Sequence, residues 1–197
     1  GVRVQYTFVE KIRVGIIRIK GRDYFSARRL RSAAGLKRGN DLSKDGIAGA
    51  RNRILDLYKG AGFFDASVKV EGMPEGKNQE AEILITIDEG KRARVADIIL
   101  QRDTIWRAED LASLMKLHKG DYYSEREMDQ SIQALERHYI DKGYLKVLIS
   151  PPELVYDEAK GEVLLTLSIE AGPHVDVLFE GAEAMAPEAL KKKLLIF

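Results

Sequence analysis

Side chains with the chemistry for catalysis or metal binding are few in this chain. Its 197 residues include no cysteine, which excludes thiol nucleophiles, thiolate metal sites and disulfides. None of the three histidines, His118, His138 and His174, has a second ligand at the spacing of a metal-binding motif. Gly60-Ala61-Gly62 is too short for a phosphate-binding loop. We therefore predict that the protein is not an enzyme and binds no cofactor, metal or small-molecule substrate.

Basic residues are concentrated in the first half of the chain. Residues 1–90 carry 17 basic and 12 acidic side chains, whereas residues 91–197 carry 15 and 19. The cluster on and after the first predicted helix consists of Arg28, Arg29, Arg31, Lys37 and Arg38. A basic helix can bind nucleic-acid phosphates, but the GxxG loop of a KH domain is absent here. We expect no nucleic-acid partner and interpret the cluster as a docking surface for a partner or anionic lipid; nucleic-acid binding around Arg28–Arg38 is the alternative.

The elements that must position these residues repeat along the chain at a spacing of 81 residues. The matched positions are apolar, aromatic or glycine: Leu30 and Leu111, Tyr58 and Tyr139, Gly62 and Gly143, Phe63 and Tyr144. Later the spacing becomes 82, so that Glu89-Gly90 matches Ala171-Gly172, as a hairpin loop one residue longer would produce. We predict the last strand of a preceding unit at 1–10, complete units at 11–90 and 91–172, and the start of a following unit at 173–197.

Each complete unit is predicted to have the order β-α-α-β-β. Ser26 is placed to cap a short helix, and the serine and glutamate of Ser124-Glu125-Arg126-Glu127 form a capping box for a longer one. Gly62 and Gly143 follow the long helices, where a left-handed residue is needed. The predicted fold class is α+β: tandem β-α-α-β-β units, each a three-stranded mixed sheet with two helices packed on one face.

Two strands close each unit, at 64–71 and 80–88 in the first and at 145–156 and 162–170 in the second. Pro151-Pro152 cannot donate ladder hydrogen bonds, so the strand that contains them is expected at a sheet edge. An edge strand offers backbone groups to another chain. The residues predicted to bind polypeptide are Ser67, Val68, Lys69, Val70 and Glu71 in the first unit, and Leu145, Lys146, Val147, Leu148, Ile149 and Ser150 in the second.

Four motifs resemble those of a known family. They are Phe25-Ser26-x-x-x-Leu30, Tyr58-x-x-x-Gly62-Phe63, Tyr139-x-x-x-Gly143-Tyr144 and Ile85-x-Ile87-x-Glu89-Gly90. Together they resemble the polypeptide-transport-associated (POTRA) domains of outer-membrane protein assembly factors of the BamA and TamA type. The resemblance implies the periplasmic side of a Gram-negative outer membrane and, in the full-length protein, a carboxy-terminal β-barrel.

The resemblance also implies two kinds of partner. These are unfolded outer-membrane proteins, bound by β-augmentation at sheet edges, and the accessory lipoproteins of an assembly complex. A second alternative is that the units act only as architectural spacers, because the junctions Glu89-Gly90-Lys91 and Ala171-Gly172-Pro173 are short. A BamA-type, a TamA-type and a two-partner secretion parent all fit these residues.

Overall fold

The computed structural model describes residues 12–75, 80–101 and 105–176, without the side chains of Pro74 and Glu75. The chain divides into two compact units, Gly1–Arg92 and Ala93–Phe197. The strand predicted at 1–10 and the part of the following unit predicted at 177–197 lie outside the described residues.

The first unit contains three strands and two helices. Its elements are β1 (Arg13–Lys20), α1 (Ala27–Ala34), α2 (Lys44–Gly60), β2 (Ser67–Glu75) and β3 (Glu80–Asp88). The strand order is β1-β3-β2, with β1 parallel and β2 antiparallel to β3. The predicted mixed sheet and the predicted order of elements are thus confirmed in this unit.

The second unit repeats this arrangement with one difference. Its elements are β4 (Arg94–Gln101), α3 (Ala108–Ala112), α4 (Glu125–Asp141), β5 (Leu148–Ile149), β6 (Glu153–Asp157) and β7 (Glu162–Glu170). Strand β4 runs parallel to β7, and both β5 and β6 run antiparallel to it. The single strand predicted at 145–156 is therefore two short strands, and this sheet has four strands instead of three.

Local sequence explains where the helices begin and end. The Ser26 hydroxyl accepts a hydrogen bond from the Arg29 N–H at 3.3 Å, and the Ser124 hydroxyl accepts one from the Glu127 N–H at 3.4 Å. Gly62 follows α2 with φ of 93°, a conformation that glycine adopts without a Cβ clash. Both predicted serine caps and the predicted glycine at the helix end are confirmed.

Each core lies between the helices and one face of the sheet. In β3 every second side chain is buried, from Ala81 through Ile83 and Ile85 to Ile87, and these pack with Leu30, Ile54 and Tyr58. Strand β7 buries Val163, Leu165, Leu167 and Ile169 in the same alternating way. Complete burial of each of these large aliphatic side chains contributes about 1.5–3 kcal/mol. The central strands are therefore held firmly, and the outer strands are the ones that another chain can reach.

Candidate polypeptide-binding edge

Strand β2 forms a regular edge of the first unit. It pairs with β3 without a break from Ser67, opposite Asp88, to Glu75, opposite Glu80. In the order of the described strands, β2 stands at one end of this sheet. All five residues predicted for this site, Ser67 to Glu71, lie in β2. The structure thus brings them together on one strand, with four further residues after them.

The backbone of β2 points alternately toward β3 and away from it, as in any antiparallel ladder. The Val68 carbonyl accepts a hydrogen bond from the Arg51 side chain at 3.1 Å, which identifies Val68 as a residue whose backbone points away. Val70 and Gly72 then point the same way, and Pro74 occupies the next such position without an N–H. The outward donors of this edge are therefore the N–H groups of Val68, Val70 and Gly72.

Side chains of β2 hold the strand in place on both faces. Val68, only 6% exposed, lies in the core, and the half-buried Val70 packs against this core. On the other face the Lys69 ammonium and the Glu71 carboxylate form an ion pair at 2.9 Å. These contacts fix the side chains of the strand while its outward N–H groups remain at the sheet edge.

The opposite edge of the first sheet is partly covered. Residues 39–42 run antiparallel to the start of β1, where the Val14 N–H donates to the Asn40 carbonyl at 2.8 Å and the Leu42 N–H donates to the Ile12 carbonyl at 2.7 Å. In the second unit the Val95 N–H donates to the Asp121 carbonyl at 2.9 Å in the same way. The edge at β2 is therefore more accessible to an added strand than the start of β1 is.

The second predicted edge differs from its prediction. Leu145, Lys146 and Val147 precede β5, and the Val147 N–H donates to the Tyr144 carbonyl at 3.3 Å. The prediction of a strand across Leu145 to Ser150 is thus wrong for its first three residues, because the chain turns again after α4 before it enters the sheet. Ser150 also lies outside β5, although its N–H still donates to the Ser168 carbonyl at 3.0 Å. The first unit turns in the same way: the Ala66 N–H donates to the Phe63 carbonyl at 3.4 Å, and β2 begins at Ser67, not at 64.

A β-bulge interrupts the edge of the second unit. The pairing with β7 slips by one residue between β5 and β6, so that both Pro151 and Pro152 stand opposite Leu167. The predicted edge position of these prolines is confirmed. Because two consecutive residues have no N–H and the strand bends at the bulge, this edge is a poorer template for an added strand than β2 is.

The five predicted basic docking residues, Arg28, Arg29, Arg31, Lys37 and Arg38, are all exposed. Three of them have contacts within the unit. The Arg29 guanidinium lies 5.2 Å from the centre of the Phe25 ring, Arg31 donates to the Ile17 carbonyl at 3.5 Å, and Arg38 pairs with Glu80 at 3.7 Å. The surface is basic, and part of its charge is already used in local contacts.

A carboxylate network at the end of the first unit was not predicted. The Glu89 carboxylate accepts hydrogen bonds from the Tyr58 hydroxyl at 2.6 Å and from the N–H groups of Asp23 and Tyr24 at 2.8 and 3.0 Å. Partial burial opposes ionisation of Glu89, but these three donors together hold its pKa below the usual value. Burial is the largest cause that raises the pKa of the Tyr58 hydroxyl far above its usual value, and the hydrogen bond to Glu89 is the second. The network joins two of the repeat motifs.

Two of the three histidines, His138 and His174, take part in aromatic packing. The His138 ring centre lies 5.0 Å from that of Trp106, and the His174 ring centre lies 5.1 Å from that of Tyr144. Within residues 12–75, 80–101 and 105–176, no group of three or more acidic or histidine side chains is arranged to hold a metal ion. Over the same residues no helix has both the length and the apolar character needed to span a membrane.

Tandem β-α-α-β-β units, each with a mixed sheet and helices on one face, define a repeat protein of small α+β domains. The chain belongs to the POTRA family, described as a surface antigen variable number repeat, whose model matches residues 12–90 and 93–172. The predicted resemblance to POTRA domains is confirmed by these matches. This family is not a known enzyme family.

Relatives and solved structures agree with this assignment. The chain is 20% identical to outer membrane protein assembly factor BamA of Nitratidesulfovibrio vulgaris, over 88% of this chain and 23% of that protein. It is 22% identical to BamA of Neisseria meningitidis, over 96% of this chain and 26% of that protein. The crystal structure of Haemophilus influenzae BamA POTRA3-5 matches with a TM-score of 0.53 and 18% identity, over 92% of this chain and 76% of that one. The chain thus spans about a quarter of the length of these two relatives.

Proposed function

We propose that this chain is the POTRA module of an outer-membrane β-barrel assembly or translocation protein, and that β2 of the first unit binds unfolded outer-membrane polypeptides by β-augmentation. The observation that carries the proposal is the uninterrupted pairing of β2 over Ser67–Glu75 at the end of the strand order. An extended client adds to such an edge through backbone hydrogen bonds. The relatives named as assembly factors support the periplasmic side of the outer membrane and a carboxy-terminal β-barrel in the full-length protein.

Backbone recognition suits a client that varies in sequence. Each new hydrogen bond contributes only about 0.5–1.5 kcal/mol net, and ordering an unfolded client opposes binding. Because the outward donors of β2 are the N–H groups of three residues, Val68, Val70 and Gly72, we expect affinities in the micromolar range or weaker. Weak binding allows the client to be passed on to the barrel.

We assign a secondary role to the second unit. Leu148 is 68% exposed on a strand of two residues, and the bulge at Pro151-Pro152 follows at once. Leu148, Ile149 and Ser150 offer a short backbone contact to a client. The basic surface of Arg28, Arg29, Arg31, Lys37 and Arg38 is proposed to dock an accessory lipoprotein with an acidic face. The spacer role is compatible with both.

Cross-linking with a matched pair of variants tests this function. A photoreactive residue is placed at exposed Lys69, and an unfolded outer-membrane polypeptide is added to the chain with Val70→Pro or Val70→Ala. Proline removes the outward N–H without touching the ladder to β3, whereas alanine trims the side chain and keeps the N–H. We expect Val70→Pro to lower the adduct yield about two- to tenfold, the value of one hydrogen bond, and Val70→Ala to keep it. Equal yields in the two variants, with both folded by circular dichroism, would refute strand addition at β2.

A further inference from the structure

An arginine of α2 occupies part of the edge to which the proposed function assigns the client. The Arg51 Nε donates to the Val68 carbonyl at 3.1 Å, across 17 residues of sequence. That carbonyl is one of the outward acceptors that an added strand would use. We propose that Arg51 is the specificity-determining residue of the β2 edge: it covers the Val68 carbonyl until a client strand with a carboxylate side chain at this position takes over the guanidinium. This inference rests on the proposed function.

The chemistry of the pair makes such an exchange favourable. A guanidinium carries five N–H donors in a planar fork that matches a carboxylate in two parallel hydrogen bonds, whereas a carbonyl oxygen offers no such match. Arg51 is exposed on the helix, so its side chain can move from one acceptor to another. A client with a neutral side chain can also form a hydrogen bond to the Val68 carbonyl only if Arg51 leaves it. Such a client offers the displaced guanidinium no carboxylate in exchange.

Local charge also leaves Arg51 available for an acidic client. Among the described residues Arg51 forms no ion pair, and its hydrogen bond is to an uncharged carbonyl. The carboxylate of Glu71, on the neighbouring stretch of β2, is already paired with Lys69 at 2.9 Å. The guanidinium is therefore a positive charge beside the strand edge, without a carboxylate partner in the part of the chain that the structure describes.

Within the described residues of the second unit, 93–101 and 105–176, this contact has no counterpart. The position that corresponds to Arg51 at the repeat spacing of 81 is Ile132, and that edge is interrupted by Pro151-Pro152. A proline blocks pairing permanently, because it has no N–H, whereas an arginine side chain can be displaced. We therefore expect discrimination between clients at the first unit.

A pair of matched peptides tests the inference on the whole 197-residue chain. The probes are capped, dye-labelled peptides of eight residues with alternating valine and threonine, which carry either Glu or Gln at one scanned position. Binding is followed by fluorescence anisotropy, and the contact is located by amide protection at Val70 and Gly72. We expect the Glu peptide at its best position to bind about two- to fivefold more tightly than the Gln peptide, as an exposed ion pair supplies, with the difference shrinking at high salt.

Variants at Arg51 distinguish a specific contact of Arg51 with the client from the general effect of the positive charge of the chain. Arg51→Ala, and Arg51→Met, which keeps the aliphatic stem, should abolish the preference for Glu and tighten binding of the Gln peptide about two- to tenfold. Lys59→Ala removes the same charge from an exposed position on the same helix, α2, and should keep the preference. A preference for Glu that survives both Arg51 variants, or that is absent from the unmodified chain while the amides are protected, would overturn the inference and leave strand addition intact. If neither peptide protects Val70 and Gly72 in any variant, both proposals fail.

Discussion

Removal of the Glu89 carboxylate should destabilise the first unit selectively. Glu89→Ala leaves the hydroxyl of Tyr58, whose side chain is completely buried, without its acceptor at 2.6 Å, and it frees the N–H groups of Asp23 and Tyr24. A buried hydrogen-bond donor that loses its acceptor lowers the free energy of unfolding by about 1–3 kcal/mol. The two backbone N–H groups are exposed and can donate to water instead. We therefore expect a loss of about 2 kcal/mol in the free energy of unfolding of this unit.

Native-state hydrogen exchange measures this change within one unit. The amides of Ile83 and Ile85 in β3 should exchange about 30-fold faster in Glu89→Ala, since 1.4 kcal/mol corresponds to a factor of ten. The amides of Leu165 and Leu167 in β7 are the internal control, because Ala171 stands where the second unit would have its glutamate.

A double-mutant cycle shows whether the hydroxyl carries the effect. Tyr58→Phe removes the donor and should cost about 1 kcal/mol, and the double variant should be no less stable than Glu89→Ala alone. Strict additivity of the two changes, or equal acceleration of β3 and β7 in Glu89→Ala, would refute the reasoning.

The same network predicts the sign of a pH dependence. Because the folded state lowers the pKa of Glu89 below its ordinary value of 4.5, the ionised carboxylate contributes stability above that value. The contribution is lost as the pH falls from about 4.5 through the folded-state pKa. The unmodified chain and Glu89→Gln should therefore differ in the amide exchange rates of β3 at higher pH, and this difference should disappear as the pH is lowered through this window. A difference that grows on acidification would contradict the assignment.

Three further changes test other parts of the structure. Ser131→Ala should cost the second unit about 1–3 kcal/mol, measured by exchange in β7, because the buried Ser131 hydroxyl accepts from two backbone N–H groups at 2.8 and 3.1 Å. Gly143→Ala should destabilise more than Gly120→Ala in thermal unfolding: both glycines have positive φ, but a Cβ at Gly143 would lie 2.7 Å from a histidine nitrogen and one at Gly120 would meet nothing within 4 Å. Replacement of both Pro151 and Pro152 by threonine restores two N–H groups and should increase anisotropy-detected binding of a strand peptide to the second unit, and unchanged binding would contradict the blocking role of the prolines.

The sequence predicted the bounds of a strand correctly where the strand is central in its sheet and its side chains alternate between buried and less buried. Residues 80–88 and 162–170 were predicted as strands, and β3 and β7 have these bounds, because each buries every second side chain against helices. Pro151-Pro152 indicated an edge but not a bulge, since the slip depends on the register with β7. The additional turn between α4 and β5 was missed because hydrophobic residues continue through Leu145 and Val147.

Contacts between side chains and distant backbone could not be predicted from spacing. Arg51 and Arg53 both lie on the long helix α2, and only the packing of α2 beside β2 brings Arg51 to Val68. Arg53 donates instead to the Ala33 carbonyl at 3.0 Å at the end of α1. Glu89 was recognised as part of a motif, but its bond to Tyr58 depends on the return of the sheet to the end of α2.

Amide protection along β2 tests the central claim most directly. The chain is mixed with an unfolded outer-membrane polypeptide, and exchange is compared with that of the chain alone. Strand addition predicts slower exchange at the outward amides of Val70 and Gly72, little change in β1, and less slowing at Gly72 in Val70→Pro than in the unmodified chain. Unchanged exchange at Val70 and Gly72 under conditions where the client is bound, or equal protection on the exposed helix faces, would contradict it.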